Sequence, residues 1–157
     1  MGCSRQSSEG GEIETQGRVI LLAGTNPGFI GSLTGRQNVR DLALAYGIKN
    51  EDVDKFSRGV FDFASIDDDL DRPIKGYSTG MRGKLGFGFI TSLDPDILLI
   101  DETLGVGDEE FREKAKQRLR EFLDKSGCVI ISTHSLGLAR ELCNKIFFFI
   151  KNTCVYF

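Results

Sequence analysis

The sequence predicts an α/β domain built on a mostly parallel sheet, and three observations carry that prediction. First, the aliphatic runs Val19-Ile20-Leu21-Leu22, Ile97-Leu98-Leu99-Ile100 and Cys128-Val129-Ile130-Ile131 lack the alternation of a half-exposed strand. With helical segments between them, such strands read as a parallel sheet covered on both faces. Second, the run ending at Ile100 delivers two adjacent carboxylates, Asp101 and Glu102, to the end of its strand. Open α/β sheets bind ligands at that edge, and two acids on a buried strand are costly without a cation or hydrogen-bond donors. Third, Tyr77-Ser78-Thr79-Gly80-Met81 opens an amphipathic segment, and a helix N-terminus with a serine in its first turn is a ready anion site. Together the acid pair and the serine turn point to phosphate and metal chemistry.

The chain has 157 residues, enough for one domain with its own core and too few for two of ordinary size. Its net charge of -3 gives a nucleic-acid partner no support from bulk electrostatics. No apolar run reaches bilayer-spanning length, the longest being Ile146 to Ile150, so an integral membrane protein is not expected. Cys3, Cys128, Cys143 and Cys154 show no CxxC spacing, and a reduced setting is preferred to a zinc or disulfide framework. The opening Met1-Gly2-Cys3 resembles an acylation signal, but Gln6 stands where that pattern needs Ser or Thr.

In chain order, residues 1–12 are rich in Ser, Gly and Glu and read as a mobile lead-in. After the first strand, Gly24 to Gly35 holds four glycines and a proline, a loop with a defined backbone path. Thr34 caps a helix whose Val39, Leu42, Ala43 and Tyr46 fall at i, i+3, i+4 and i+7, and Gly47 stops it. Glu51 to Phe63 is a weaker helical segment, interrupted by Gly59. Asp67, Asp68, Asp69 and Asp71 lack the spacing of a calcium loop and read as solvated.

From Ser78 onward, Met81, Leu85, Phe89 and Leu93 recur every fourth residue, giving a helix with one buried stripe. Gly83, Gly86 and Gly88 within it are expected to permit close packing against another backbone. Asp94-Pro95-Asp96 turns the chain into the second strand. Beyond Glu102 a glycine-rich corner leads to Asp108, which can cap a helix with Phe111, Ala115, Leu119, Phe122 and Leu123 on one face. The third strand ends in Ser132-Thr133-His134-Ser135, and Leu138, Ala139, Leu142 and Cys143 line a short helix. Ile146 to Ile150 is a further apolar strand, with Cys154 to Phe157 as a hairpin arm.

These elements together resemble one family. YSTGM, then LDPDILLIDE, then a glycine-rich corner with Asp108, then STH after the next strand, is similar to the ATP-binding subunit of an ABC transporter. The order matches that family's signature loop, Walker B strand, D-loop and switch histidine. GSLTGRQNVRDLALAYG and the YSTGM form of the signature resemble the branch that exports capsule, O-antigen or teichoic acid.

The resemblance implies a P-loop NTPase-like fold, N-terminally truncated, with a helical signature subdomain at about 34–93 and a Walker B, D-loop and switch core at about 94–157. These follow the lead-in as parts of one partial ABC ATPase domain, 13–157. It implies ATP and Mg²⁺ as cofactors. Its implied partners are a second ATP-binding subunit and an integral membrane permease, with the chain cytoplasmic and peripheral on the inner face of the plasma membrane.

By the same resemblance Ser78, Thr79 and Gly80 serve the γ-phosphate of ATP on the opposite subunit. Asp101 holds Mg²⁺ through water, Glu102 accepts a proton from the attacking water, and His134 reaches the γ-phosphate. Asp108 lies across the dimer interface and couples the two sites. Two plainer readings stand beside these: Ser78 is also an N-cap, and Asp108 is an N-cap alone.

The sequence departs from the family in two places. No G-x-x-x-x-G-K-S/T phosphate loop occurs in the 157 residues, since Gly83-Lys84 is followed by Leu85, so poor ATP affinity is expected of the chain by itself. Ile30 stands where related sequences carry the Q-loop glutamine, and its side chain can neither donate nor accept a hydrogen bond. No appended carbohydrate-binding domain is expected after the last strand. An alternative function is a non-catalytic module that completes a partner's ATP site through the signature loop. A chromosome-maintenance ATPase, a third option, needs a long coiled coil, and no sustained heptads are present.

Overall fold

The computed structural model describes residues 3–8, 11–23, 26–101, 108–124, 127–150 and 153–156; for 3–8, 11, 22, 23, 148–150 and 153–156 it describes the backbone alone. Three parallel strands form the central sheet in the order β3 (Val19–Ala23), β4 (Ile97–Asp101) and β5 (Cys128–Ser132). The register sets Ile20 beside Leu98 and Val129, and Leu21 beside Leu99 and Ile130. Side chains alternate between faces, so Ile20, Leu98 and Ile100 share the buried face, with Val129 and Ile131 packed against the same core.

The opposite face is open among the described residues: Leu21 is 57% and Ile130 58% exposed, and Val19 and Cys128 are exposed too. The unbroken aliphatic runs predict cover on both faces; among the described residues helices cover one. An aliphatic run is compatible with burial on two faces but does not by itself supply the second layer.

Between β3 and β4 the chain builds a helical layer. Helix α1 (Gly35–Ala45) starts at Thr34, whose hydroxyl accepts from Gln37 N while the Gln37 side chain accepts from Thr34 N, a reciprocal capping box. It ends at Tyr46, where Gly47 takes a φ of 85° that residues with a Cβ rarely adopt. Helix α2 (Val53–Ala64) runs unbroken through Gly59, contrary to the expected interruption, because its buried stripe of Val53, Ser57, Val60, Phe61 and Ala64 outweighs one weak position.

Helix α3 (Thr79–Ser92) is buried around most of its circumference, with Gly83, Leu85, Gly86, Phe87, Gly88, Phe89 and Ile90 all covered. The single stripe expected there is therefore wrong. At Gly88 a Cβ would sit 3.3 Å from Val60 O and 3.2 Å from Phe63 Cδ1, so α2 and α3 approach as closely as a missing side chain allows. Phe89 meets Tyr46 and Phe56 edge-on, and Phe87 contacts Phe63 and Phe111.

Helix α4 (Glu109–Asp124) adds Phe111, Ala115, Leu119 and Phe122 to the same core, and α5 (Leu136–Leu142) follows β5. Arg18 fastens the helical layer to the sheet. Its guanidinium donates to Tyr46 O at 2.9 Å and Leu93 O at 3.3 Å, the C-terminal carbonyls of α1 and α3, where a cation also suits both helix dipoles.

Two hairpins flank this unit. β1 (Cys3–Ser8) pairs antiparallel with β2 (Gly11–Gln16), and β6 (Phe147–Ile150) with β7 (Thr153–Tyr156). The lead-in expected over 1–12 therefore contains a paired strand, since a ladder satisfies backbone donors and acceptors whatever the side chains. The acidic cluster forms a 3₁₀ turn, Asp67–Asp69; beyond it Asp71 pairs with Arg36 at 2.9 Å, and Asp69 pairs with Arg72.

Candidate functional site

The turn that begins α3 is held from behind by buried groups. Tyr77 is buried and its hydroxyl donates to Asp69 O at 2.6 Å. A Cβ at position 35 would collide with that hydroxyl, so Gly35 is the residue that fits beneath it. Burial and the nearby Asp69 carboxylate push the Tyr77 phenol above its ordinary value of 10.0. In front of Tyr77, Lys75 N donates to Gly31 O and Ile74 N to Leu33 O, both at 3.0 Å, and Pro73 bridges to Thr34.

Ser78 then takes extended backbone, and its Oγ accepts from Met81 N at 3.1 Å. Arg82 N donates to Ser78 O at 3.1 Å. Thr79 and Gly80 fill the positions between, where helical N–H groups have no carbonyl a turn earlier to bond. No acidic residue lies in this first turn, so nothing within it neutralises the positive end of the helix dipole.

The loop feeding this turn depends on a residue that motif reasoning passed over. Asn38 is 2% exposed, and its Oδ1 accepts from Ile30 N at 2.6 Å. Its Nδ2 donates to Ile30 O, Leu33 O and Thr34 O at 3.0 to 3.2 Å. One amide thereby closes the loop 30–34 on itself. The signal was available: Gly35, Asn38 and Val39 fall at i, i+3 and i+4, which puts Asn38 on the buried stripe of α1. Ile30 turns its side chain outward, 56% exposed.

At the sheet's C-terminal edge Asp101 lies in register with Ala23 and Ser132, on the open face. Its side chain is exposed, so the desolvation cost that singled it out from sequence does not apply to it here. Glu102, the expected base, lies with residues 103–107 outside the described residues. His134 is exposed two residues beyond Ser132, in a turn where Thr133 Oγ1 accepts from Ser135 N at 3.1 Å. The parallel register thus brings Asp101, Ser132 and the His134 turn to one edge. Among the described residues no group of three or more His, Cys, Asp and Glu side chains is placed to hold a metal.

Asp108 starts α4 as an N-cap: Oδ1 accepts from Phe111 N at 2.9 Å, and Oδ2 accepts from Lys84 Nζ at 2.6 Å. The Lys84 hydrogen bond, followed by the Phe111 N–H, holds its carboxyl below the ordinary value of 3.8. Lys84 was not anticipated as a partner, because a single basic residue on a helix gives no sign of what it will meet across the fold. An open groove lined by Lys49, Lys55, Phe56, Ser92 and Arg118 contains none of the expected site residues.

Fold and residue order define the class: an ATP-binding-cassette domain, present in part. A solved structure of the ATP-binding subunit of an ABC transporter superposes with a TM-score of 0.71 at 23% identity, over 82% of this chain and 53% of that one. A dimeric ATP-binding cassette in a post-hydrolysis state, bound to ADP and Pi, gives 0.65 at 21% identity, over 79% and 55%.

In sequence the chain is 40% identical over 137 residues to the teichoic acids export ATP-binding protein TagH of Listeria monocytogenes. It is 38% identical over 136 residues to TagH of Levilactobacillus brevis and 36% over 140 residues to TagH of Staphylococcus haemolyticus. These matches take in 84% to 89% of the chain and only 37% to 53% of the relatives' own length. No family model matches the chain. Over the stretch it shares with them, the chain is a relative of these export ATP-binding proteins and has the fold of an ABC-transporter ATP-binding subunit.

Proposed function

We propose that this chain supplies part of an ATP-binding and ATP-hydrolysing subunit of an exporter of teichoic-acid-type glycan, working at the inner face of the plasma membrane with a permease. One observation carries the reading: the α3 start, with Ser78 bonded back to Met81 N and the Thr79 and Gly80 N–H groups beyond it, in a chain 40% identical to a teichoic acid exporter subunit. That turn serves the γ-phosphate of ATP held by a second subunit, and Gly80, lacking a Cβ, lets the phosphate approach. ATP and Mg²⁺ are its cofactors. Asp101 fits a magnesium ion held through water, since Mg²⁺ dehydrates reluctantly and usually keeps several of its waters. Glu102 is the proposed base, His134 the group that steadies the γ-phosphate, and Asp108 the link between sites.

A second reading is a module that completes a partner's ATP site through the Ser78 turn, the half-site whose groups the structure describes, without turning over ATP of its own. Titration calorimetry of Mg·ATP into the isolated chain separates the two, because tight binding would contradict the second. For the first, the chain fused behind the phosphate-loop segment of a TagH relative should hydrolyse ATP and lose that activity on Glu102→Gln. Unchanged turnover in the variant would reject Glu102 as the base.

A further inference from the structure

We propose that Lys84 and Asp108 form an intramolecular clasp that fixes the start of α4 against the helix carrying Ser78 to Gly80, with Lys84 as a positioning residue. Both carboxylate oxygens of Asp108 are engaged within the chain, Oδ1 by Phe111 N and Oδ2 by Lys84 Nζ. The Lys84 side chain is 20% exposed, and its ammonium also stands 5.4 Å from the centre of the Phe111 ring. Phe111 is itself buried and meets Phe87 of α3 edge-on at 6.0 Å. An ion pair, a cation–π contact and a ring contact therefore join α3 to the first turn of α4 at one level. Lys84 follows Ser78 by six residues of helix, roughly 9 Å along the axis.

While the pair is closed, both oxygens of Asp108 already have partners within the chain, although its side chain stays 60% exposed. The pair links two regions of its own chain: the helix that presents the serine turn, and the segment following the strand that bears Asp101. This inference rests on reading those two regions as half-sites of one nucleotide machine. Coupling then runs through the clasp within each subunit, and a partner that pulled Asp108 outward would have to displace Lys84 first.

The test uses the purified 157-residue chain, with carboxyl ¹³C titration by NMR and amide hydrogen exchange. In the wild type Asp108 should titrate below 3.8. Lys84→Met should return it toward that value, and Lys84→Arg should keep it low. Exchange at Met81 and Arg82, whose amides bond to Ser78, should rise about fivefold in Lys84→Met and in Asp108→Asn, as for contacting residues that share a coupling energy, and recover in Lys84→Arg.

An Asp108 titration indifferent to Lys84→Met would overturn the pair. A shifted titration with unchanged exchange at Met81 and Arg82 in both Lys84→Met and Asp108→Asn would overturn its positioning role. If Lys84→Met fails to fold, Asp108→Asn and Lys84→Arg carry the same comparison. None of these readouts involves ATP, so failure of the half-site reading leaves them standing, and their failure leaves that reading untouched.

Discussion

Asn38→Ala should cost about 2 kcal/mol of folding stability, and the hydrogen bonds around it show where that figure comes from. Three of the four bonds lost are to carbonyls that keep another partner: Leu33 N donates to Ile30 O, Ile74 N to Leu33 O, and Asn38 N to Thr34 O. The fourth is different. Ile30 N loses Asn38 Oδ1, the acceptor the structure gives it, and an orphaned donor in a part-buried site costs about 1–2 kcal/mol. Lost packing of a fully covered side chain adds up to about 1 kcal/mol. With a urea slope near 2 kcal/mol/M, the unfolding midpoint should fall by about 1 M.

Asn38→Asp sharpens the test. It keeps an acceptor for Ile30 N but turns a carboxylate toward three carbonyl oxygens, so it should be at least as damaging as alanine. The assay is urea unfolding followed by circular dichroism, with hydrogen exchange at Ile74 and Lys75, whose amides bond to the loop that Asn38 closes. A midpoint change below about 0.25 M for Asn38→Ala, or an Asp variant close to wild type, would show that the Asn38 amide does not hold the loop.

Two glycines in the packed pair α2 and α3 should respond in opposite directions. Gly88→Ala pushes a methyl onto the Val60 carbonyl and should lose about 1–3 kcal/mol, whereas Gly59→Ala meets nothing within 4 Å and should gain up to about 1 kcal/mol, both read from thermal unfolding. Lys114→Met removes a cation bonded to Asp62 O and Phe63 O at the end of α2 and stacked 5.0 Å from the Phe63 ring; a loss of about 1 kcal/mol is expected by chemical denaturation. Because the Tyr77 phenol is raised above 10.0 on folding, its contribution is complete below the unfolded value and is lost as pH rises through the folded one. The denaturation midpoint should therefore fall more steeply above pH 10.0 in the wild type than in Tyr77→Phe.

Much of this was legible in the residues themselves. Thr34 with Gln37, and Ser78 ahead of a helical segment, are local cap patterns, and the structure realises both. The three aliphatic runs became the parallel strands because nothing in them offers a solvated face. What the sequence could not show depends on what lies opposite. Leu21 and Ile130 look as buried as Ile20 and Leu98, yet among the described residues helices meet one face of their sheet. Phe87 and Gly88 fall off the four-residue stripe of α3 and are covered regardless, because α2 and α4 close on the helix from different sides. The Lys84–Asp108 pair spans 24 positions and leaves no local trace. Asp101 was singled out by an assumed cost of burial; its exposure leaves the family pattern as its support.

Ser78 to Gly80 are proposed to complete an ATP site held by another subunit. Sedimentation of this chain with a full-length TagH relative whose Walker B glutamate is changed to Gln, so that bound ATP persists, tests it most directly. A mixed dimer that forms with Mg·ATP, dissolves without it and is lost on Ser78→Arg is the predicted result. Association that ignores ATP, or that survives Ser78→Arg unchanged, would contradict the account.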